Sequence, residues 1–149
     1  GVSGEEGVAA AIADMAASGE LSEHSASLVD CKVIADCISS PLISRARHAR
    51  HLREKKFTLC VPACDVLEGC ATSDDILVQG AIDLMILGGE SGGENVLVDF
   101  KYTSRPPSEV KKAYAKQIEL YALAMEKCAG VKPDRKVLFL LGSNIELEM

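Results

Sequence analysis

The sequence predicts an α/β (α+β) protein in which a helical N-terminal lead-in precedes a mixed central sheet flanked by helices. Three observations carry that prediction. The first fifty or so residues repeat their apolar positions with helical spacing, and from Glu54 the period becomes strand-like. One long amphipathic helix then separates the early strands from two short final ones. At 149 residues the chain has the length of one domain, and 48% apolar against 26% charged residues excludes wholesale disorder. Sixteen basic and 22 acidic residues leave a net charge of −6. No apolar run reaches the roughly eighteen residues of a membrane span. The start, Gly1-Val2-Ser3-Gly4-Glu5-Glu6, lacks the basic-then-apolar pattern of a secretory signal, so a cytoplasmic location is expected.

The alanine-dominated run Val8 to Ala17 reads as a helix stopped by Ser18-Gly19. A second helix is expected from Ser27 to Ser39, with Leu28, Val33, Ile34, Cys37 and Ile38 as its apolar stripe. Pro41 suits the first position of a third, running to about His51. That third segment and its continuation, with Arg45, Arg47, Arg50 and Arg53, form the only basic patch, and a solvated helix face is its ordinary fate. Phe57 to Val61 is a β-rich run ended by Pro62. Ile76 to Leu87 and Val96 to Tyr102 are strands joined through Gly88-Gly89-Glu90-Ser91-Gly92-Gly93. After Arg105-Pro106-Pro107, Ser108 is expected to cap a helix spanning Lys111 to Lys127. Lys136 to Leu141 and Ile145 to Glu148 complete the strands. The domain division expected is a lead-in over 1–52 and a core over 53–149.

Six cysteines stand at 31, 37, 60, 64, 70 and 128. Cys31 and Cys37 fall at near-helical spacing among apolar residues and read as small core side chains. Cys60, Cys64 and Cys70 lack the paired C-x2-C knuckles and histidine partners of a zinc module, so free thiols are expected.

The chemistry concentrates in 76–102. Gly80-Ala81-Ile82-Asp83-Leu84 and Val98-Asp99-Phe100-Lys101-Tyr102 each place a carboxylate inside an apolar strand, sixteen residues apart. Alternation along a strand sends Asp99 and Lys101 to one face and Val98, Phe100 and Tyr102 to the other. Burying such charges is costly unless they are satisfied. A divalent cation resolves the cost: Asp83 and Asp99 supply hard oxygens, and the Phe100 carbonyl with waters completes an octahedral Mg²⁺ or Mn²⁺ shell. Lys101 then stands beside the attacking water, an arrangement suited to phosphodiester hydrolysis. The plainer alternative is a structural ion pair between Lys101 and Asp99 or Asp83, because D-x-K is a short and common tripeptide. Sixteen residues beyond Lys101, Gln117 and Tyr121 share one helix face at i and i+4. Their amide and phenol suit orienting a strand or bracing the site, although such a tyrosine is more often simply core.

Taken in order, these residues resemble the PD-(D/E)XK nucleases of the RecB-like group, and within it the C-terminal nuclease domains of AddA-type subunits of bacterial helicase–nucleases. The resemblance covers most of the chain. Arg53-Glu54-Lys55-Lys56-Phe57 is similar to the family's Arg-Glu-x-x-Phe strand, Gly80 to Leu84 to its G-x-I-D strand, Val98 to Tyr102 to its V-D-Y/F-K-T strand, and Gln117 to Tyr121 to its Q-x-x-x-Y helix. It implies a restriction-endonuclease-like core. Asp83 and Asp99 would bind metal, Lys101 would be catalytic, and Gln117 and Tyr121 would support substrate or site geometry. Glu54 is either a further support behind the site or an exposed strand-end charge. The implied activity is a Mg²⁺- or Mn²⁺-dependent deoxyribonuclease acting in double-strand-break repair and recombination. Its implied partners are DNA fed as a single strand by an ATP-driven helicase motor, and an AddB-like subunit.

Two departures from the family pattern matter. Its Gly-Thr-x-x-His helix is not present, so the chain is expected to begin just after that helix, to be part of a longer protein, and to have weak nuclease activity alone. His24, His48 and His51 are expected on loop or helix surfaces rather than as substitutes. Related iron–sulfur nucleases carry three cysteines after the Gln/Tyr helix, whereas only Cys128 lies there, so no cluster is expected. The acidic balance implies that most DNA affinity resides elsewhere in the longer protein. A non-catalytic docking module and a stand-alone phage-type exonuclease are the rival readings.

Overall fold

The computed structural model describes residues 2–67, 69, 72, 74–89 and 92–149. Cys70 and the Glu90-Ser91 tip of the expected hairpin connection lie outside them. Four helices lead in. Helix α1 (Gly4–Ala17) carries Glu5 and Glu6 in its first turn, where carboxylates favour the helix dipole. The helix expected over 27–39 starts only at Cys31, as α3 (Cys31–Ser39), and a separate short helix, α2 (Glu23–Ser27), precedes it. Asp30 divides them because its carboxylate accepts from the Val33 N–H and so starts a new helix rather than continuing the old one. His24 accordingly sits in α2 and not in a loop. Helix α4 (Pro41–His48) has Pro41 in its first turn and the Ser40 hydroxyl on the Ile43 N–H.

The third helix stops at His48, three residues short of expectation, because Ala49 is extended. Strand β1 (Arg50–Pro62) then begins well before Phe57. Its first half is a charged edge strand, so no apolar alternation announces it, and pairing with β2 (Asp75–Leu87) holds it in place. Arg50, His51 and Arg53 therefore belong to a strand. A short helix, α5 (Ala63–Val66), leaves β1. Strands β3 (Val96–Lys101), β4 (Arg135–Leu140) and β5 (Ile145–Glu148) complete a sheet of order β1-β2-β3-β4-β5. Among the described residues only β3 and β4 pair in parallel, and α6 (Pro107–Ala129) makes the crossover that a parallel pair requires. Ser108 does not cap α6: Pro107 is already helical, which puts Ser108 inside the first turn, and the N-cap position is Pro106.

The sheet buries an apolar layer on each face. Phe57, Ile82, Met85, Leu97, Leu138 and Leu140 pack with Val110, Ile118 and Met125 of α6. Leu84, Ile86, Val96, Val98, Val137 and Phe139 pack with Cys37, Leu42 and Ala46 of the lead-in helices. Among the described residues, no helix is long and apolar enough to cross a membrane.

Candidate active site

Strands β2 and β3 pair only at Leu84↔Val98, Met85↔Leu97 and Ile86↔Val96. The same register would set Asp83 opposite Asp99, and there the ladder stops. In its place the Asp83 carboxylate occupies the gap: Phe100 N–H donates to Asp83 Oδ2 at 2.8 Å. A strand residue's N–H and C=O point to the same side, so the Phe100 carbonyl faces that gap too. The alternation of β2 also breaks at this residue. Ile82 packs toward α6 and Leu84, two residues on, toward the lead-in helices. Across the β1–β2 ladder the matching position is Glu54, flanked by Arg53↔Leu84 and Lys55↔Ile82. Glu54 takes φ +48°, an unusual conformation for a non-glycine residue, at the point where both strands exchange faces.

Asp99 is 2% exposed. Lys101 Nζ lies 2.6 Å from Asp99 Oδ2, an ion pair on one face of β3 as alternation requires. That oxygen has no well-directed hydrogen-bond donor among the described residues. Burial raises the Asp99 pKa above the ordinary carboxylate value, the lysine opposes that shift, and the Asp83 charge adds to it. Lys101 is held from beneath by Tyr114 of α6, with the ammonium 4.6 Å from the ring centroid. Sequence reasoning missed Tyr114, although it lies on the stripe of Gln117 and Tyr121, three and seven residues earlier.

Gln117 and Tyr121 line a cavity of about 670 Å³ between α6 and the β1–β2 ribbon. The Gln117 amide donates to the Tyr121 hydroxyl at 2.9 Å, and the Tyr121 ring meets Phe57 edge-on at 5.6 Å. Phe57 in turn lies over Gly80, where a Cβ would come within 2.8 Å of the ring. Gln117, Tyr121, Phe57 and Gly80 therefore lock α6 against the ribbon three residues before Asp83. The glycine of the G-x-I-D strand owes its place to that close approach.

Asp83 and Glu54 share a different cavity, of about 930 Å³, on the lead-in side of the sheet, together with Arg47, His51, Arg53 and Phe100. His24 and His48 are exposed, and His51 Nδ1 pairs with the Ala49 carbonyl at 3.1 Å. Cys37 is buried and burial pushes its thiol up, Cys31 is half-buried, and Cys60, Cys64 and Cys128 are exposed thiols. No cluster of three or more His, Cys, Asp or Glu side chains fit to hold a metal occurs among the described residues. What the geometry does offer a hard cation is the Asp83 carboxylate in the gap of the ladder, the buried Asp99 carboxylate with an oxygen that lacks a directed donor, and the Phe100 carbonyl facing the gap.

A family model described as the PD-(D/E)XK nuclease superfamily matches residues 5–146. Two curated relatives, both named as the A subunit of an ATP-dependent helicase/nuclease, align with 91% of the chain. That of Pelotomaculum thermopropionicum is 31% identical over 142 residues and that of Carboxydothermus hydrogenoformans is 36% identical over 141. A third of the same name, from Heliobacterium modesticaldum, is 32% identical over 75% of the chain. The chain spans only 8–12% of these relatives' own lengths. With the mixed five-stranded sheet and its flanking helices, the match over nearly the whole sequence establishes that this chain belongs to the PD-(D/E)XK nuclease superfamily.

Proposed function

We propose that this chain is the nuclease domain of an AddA-type helicase–nuclease, hydrolysing one DNA strand with the help of Mg²⁺ or Mn²⁺. The observation that carries the reading is the interrupted β2–β3 ladder, where the Asp83 carboxylate takes the Phe100 N–H in place of a strand bond and the next residue along, buried Asp99, pairs with Lys101. Asp83, Asp99 and the Phe100 carbonyl are the proposed metal-holding groups. When bound, the cation supplies charge stabilisation at a phosphoryl oxygen and a more acidic water. Lys101 donates hydrogen bonds to the attacking water or the phosphate, and Tyr114 limits the directions its ammonium can take. Buried Asp99 keeps that ammonium aimed at the site. Gln117 and Tyr121 hold α6 at a fixed distance from the ribbon, and Glu54 lines the approach to Asp83. We take residues 1–52 as the lead-in and 53–149 as the core.

Given the small share of the relatives that the chain spans, the wider role rests on the longer protein. That role is processing of double-strand breaks for repair and recombination in the bacterial cytoplasm. An ATP-driven motor delivers the strand, and the partner is an AddB-like protein. The chain alone is expected to cut weakly. Mn²⁺ binding to the purified chain, followed by electron paramagnetic resonance, tests the reading. Binding that Asp99→Ala abolishes while circular dichroism is unchanged supports it. Failure of Mn²⁺ to bind, or binding indifferent to Asp99, favours a docking module in which the acids are structural.

A further inference from the structure

The acidic chain carries one concentrated exception. Between Arg45 and Lys56 stand six cations and one acid, a local charge of +5 that leaves −11 for the other residues. The fold splits this segment between α4 and β1, one of the two edge strands of the sheet, and so builds a basic edge. The cations on that edge are not equivalent. Arg45 is committed to Glu94, through its carboxylate at 3.3 Å and its carbonyl at 2.7 Å. Arg47 spends one donor on the Val2 carbonyl at 3.2 Å, and the Arg53 guanidinium has no hydrogen bond or ion pair among the described residues. Arg47, from α4, and Arg53, from β1, line the cavity that holds Asp83 and Glu54.

We propose that Arg47 and Arg53 form the phosphate-binding wall along which a single polynucleotide strand reaches Asp83, an inference that rests on the nuclease reading. Two planar guanidinium groups with spare donors suit phosphate oxygens, which they bind bidentately. The cavity, at about 930 Å³, has the size of a cleft for small ligands and so admits a short stretch of one strand. His51, its Nδ1–H donated to the Ala49 carbonyl, presents its other nitrogen as an acceptor and adds no charge to the wall while neutral. The acids facing the cleft are Glu54 and Asp83, both at the end where the cation is proposed to sit. Phosphate contacts of this kind position the strand and ignore its sequence.

The test is the salt dependence of binding to a fluorescein-labelled oligothymidylate, measured by anisotropy in EDTA so that neither metal binding nor cleavage contributes. The native chain is expected to bind at roughly 10⁻⁴ M at physiological salt, the weak end of non-specific association, and more tightly in low salt. Each single-strand phosphate contact adds about 0.7 to the slope of log K against log salt, so Arg47→Ala/Arg53→Ala should lower the slope by about 1.4. Lys111→Ala/Lys112→Ala, which removes the same charge from the exposed start of α6, should leave the slope unchanged, and Arg53→Lys should retain it. Equal slopes in the two double variants, or no binding by the native chain in low salt, would overturn the assignment. The nuclease reading fails separately, on Mn²⁺ binding through Asp83 and Asp99.

Discussion

The two ends of the β2–β3 ribbon differ in almost every respect. At one end Leu84, Met85 and Ile86 pair with Val98, Leu97 and Val96, every side chain is at most 5% exposed, and each face meets its own apolar layer. One residue further the ladder is abandoned, the alternation of β2 inverts, and two carboxylates and an ammonium occupy the space. The apolar end gains stability from area removed from water, while the polar end gives stability up to hold charges in place. A sheet that pairs cleanly on one side of a site fixes its geometry, and the broken pairing frees backbone and side-chain oxygens for a ligand.

Substitutions at the two ends should therefore have opposite signs. Leu97→Ala, at the apolar end, is expected to cost about 3 kcal/mol, within the 2–5 kcal/mol of buried leucine truncations, read by urea unfolding. A cost below 1 kcal/mol would show that this end is not the anchor. Gly80→Ala drives a methyl into the Phe57 ring and should cost roughly 1–3 kcal/mol. It should also loosen α6, seen as faster amide exchange around Tyr121. Gln117→Ala should cost about 1 kcal/mol through the lost bond to Tyr121, and almost nothing in a Tyr121→Phe background that already lacks it.

At the polar end, Asp99→Asn should raise the melting temperature at pH 7 without metal. Asp99 has a raised pKa in the fold, so the native state holds its proton more tightly than the unfolded chain does. Stability is then greatest below the unfolded value near 3.8 and is lost as pH rises through the folded value. The advantage of Asp99→Asn should accordingly fade as pH falls toward 3.8. An advantage that grows on acidification would contradict the burial argument.

Much of this was legible in the sequence because the long apolar strands and the order of Asp83, Asp99, Lys101, Gln117 and Tyr121 are local signals. What escaped was decided by tertiary packing. The first half of β1 is charged on both faces and becomes a strand only because β2 offers a partner. Tyr114 reads as one more half-apolar helix residue until Lys101 is seen above it. The face exchange at Glu54 and Asp83 leaves no periodic trace at all, since it consists of a break in a period. The i and i+4 spacing of Gln117 and Tyr121 puts them on one helix face, but their contact with each other and with Phe57 over Gly80 is set by packing.

The most direct test of the central claim is thermal unfolding of the native chain and of Asp99→Asn, each with and without saturating Mn²⁺. A crossing is expected: Asp99→Asn melts higher without the ion, and only the native chain gains when it is added. An Asp99→Asn chain that melts lower without metal and gains as much as the native chain from Mn²⁺ would contradict it.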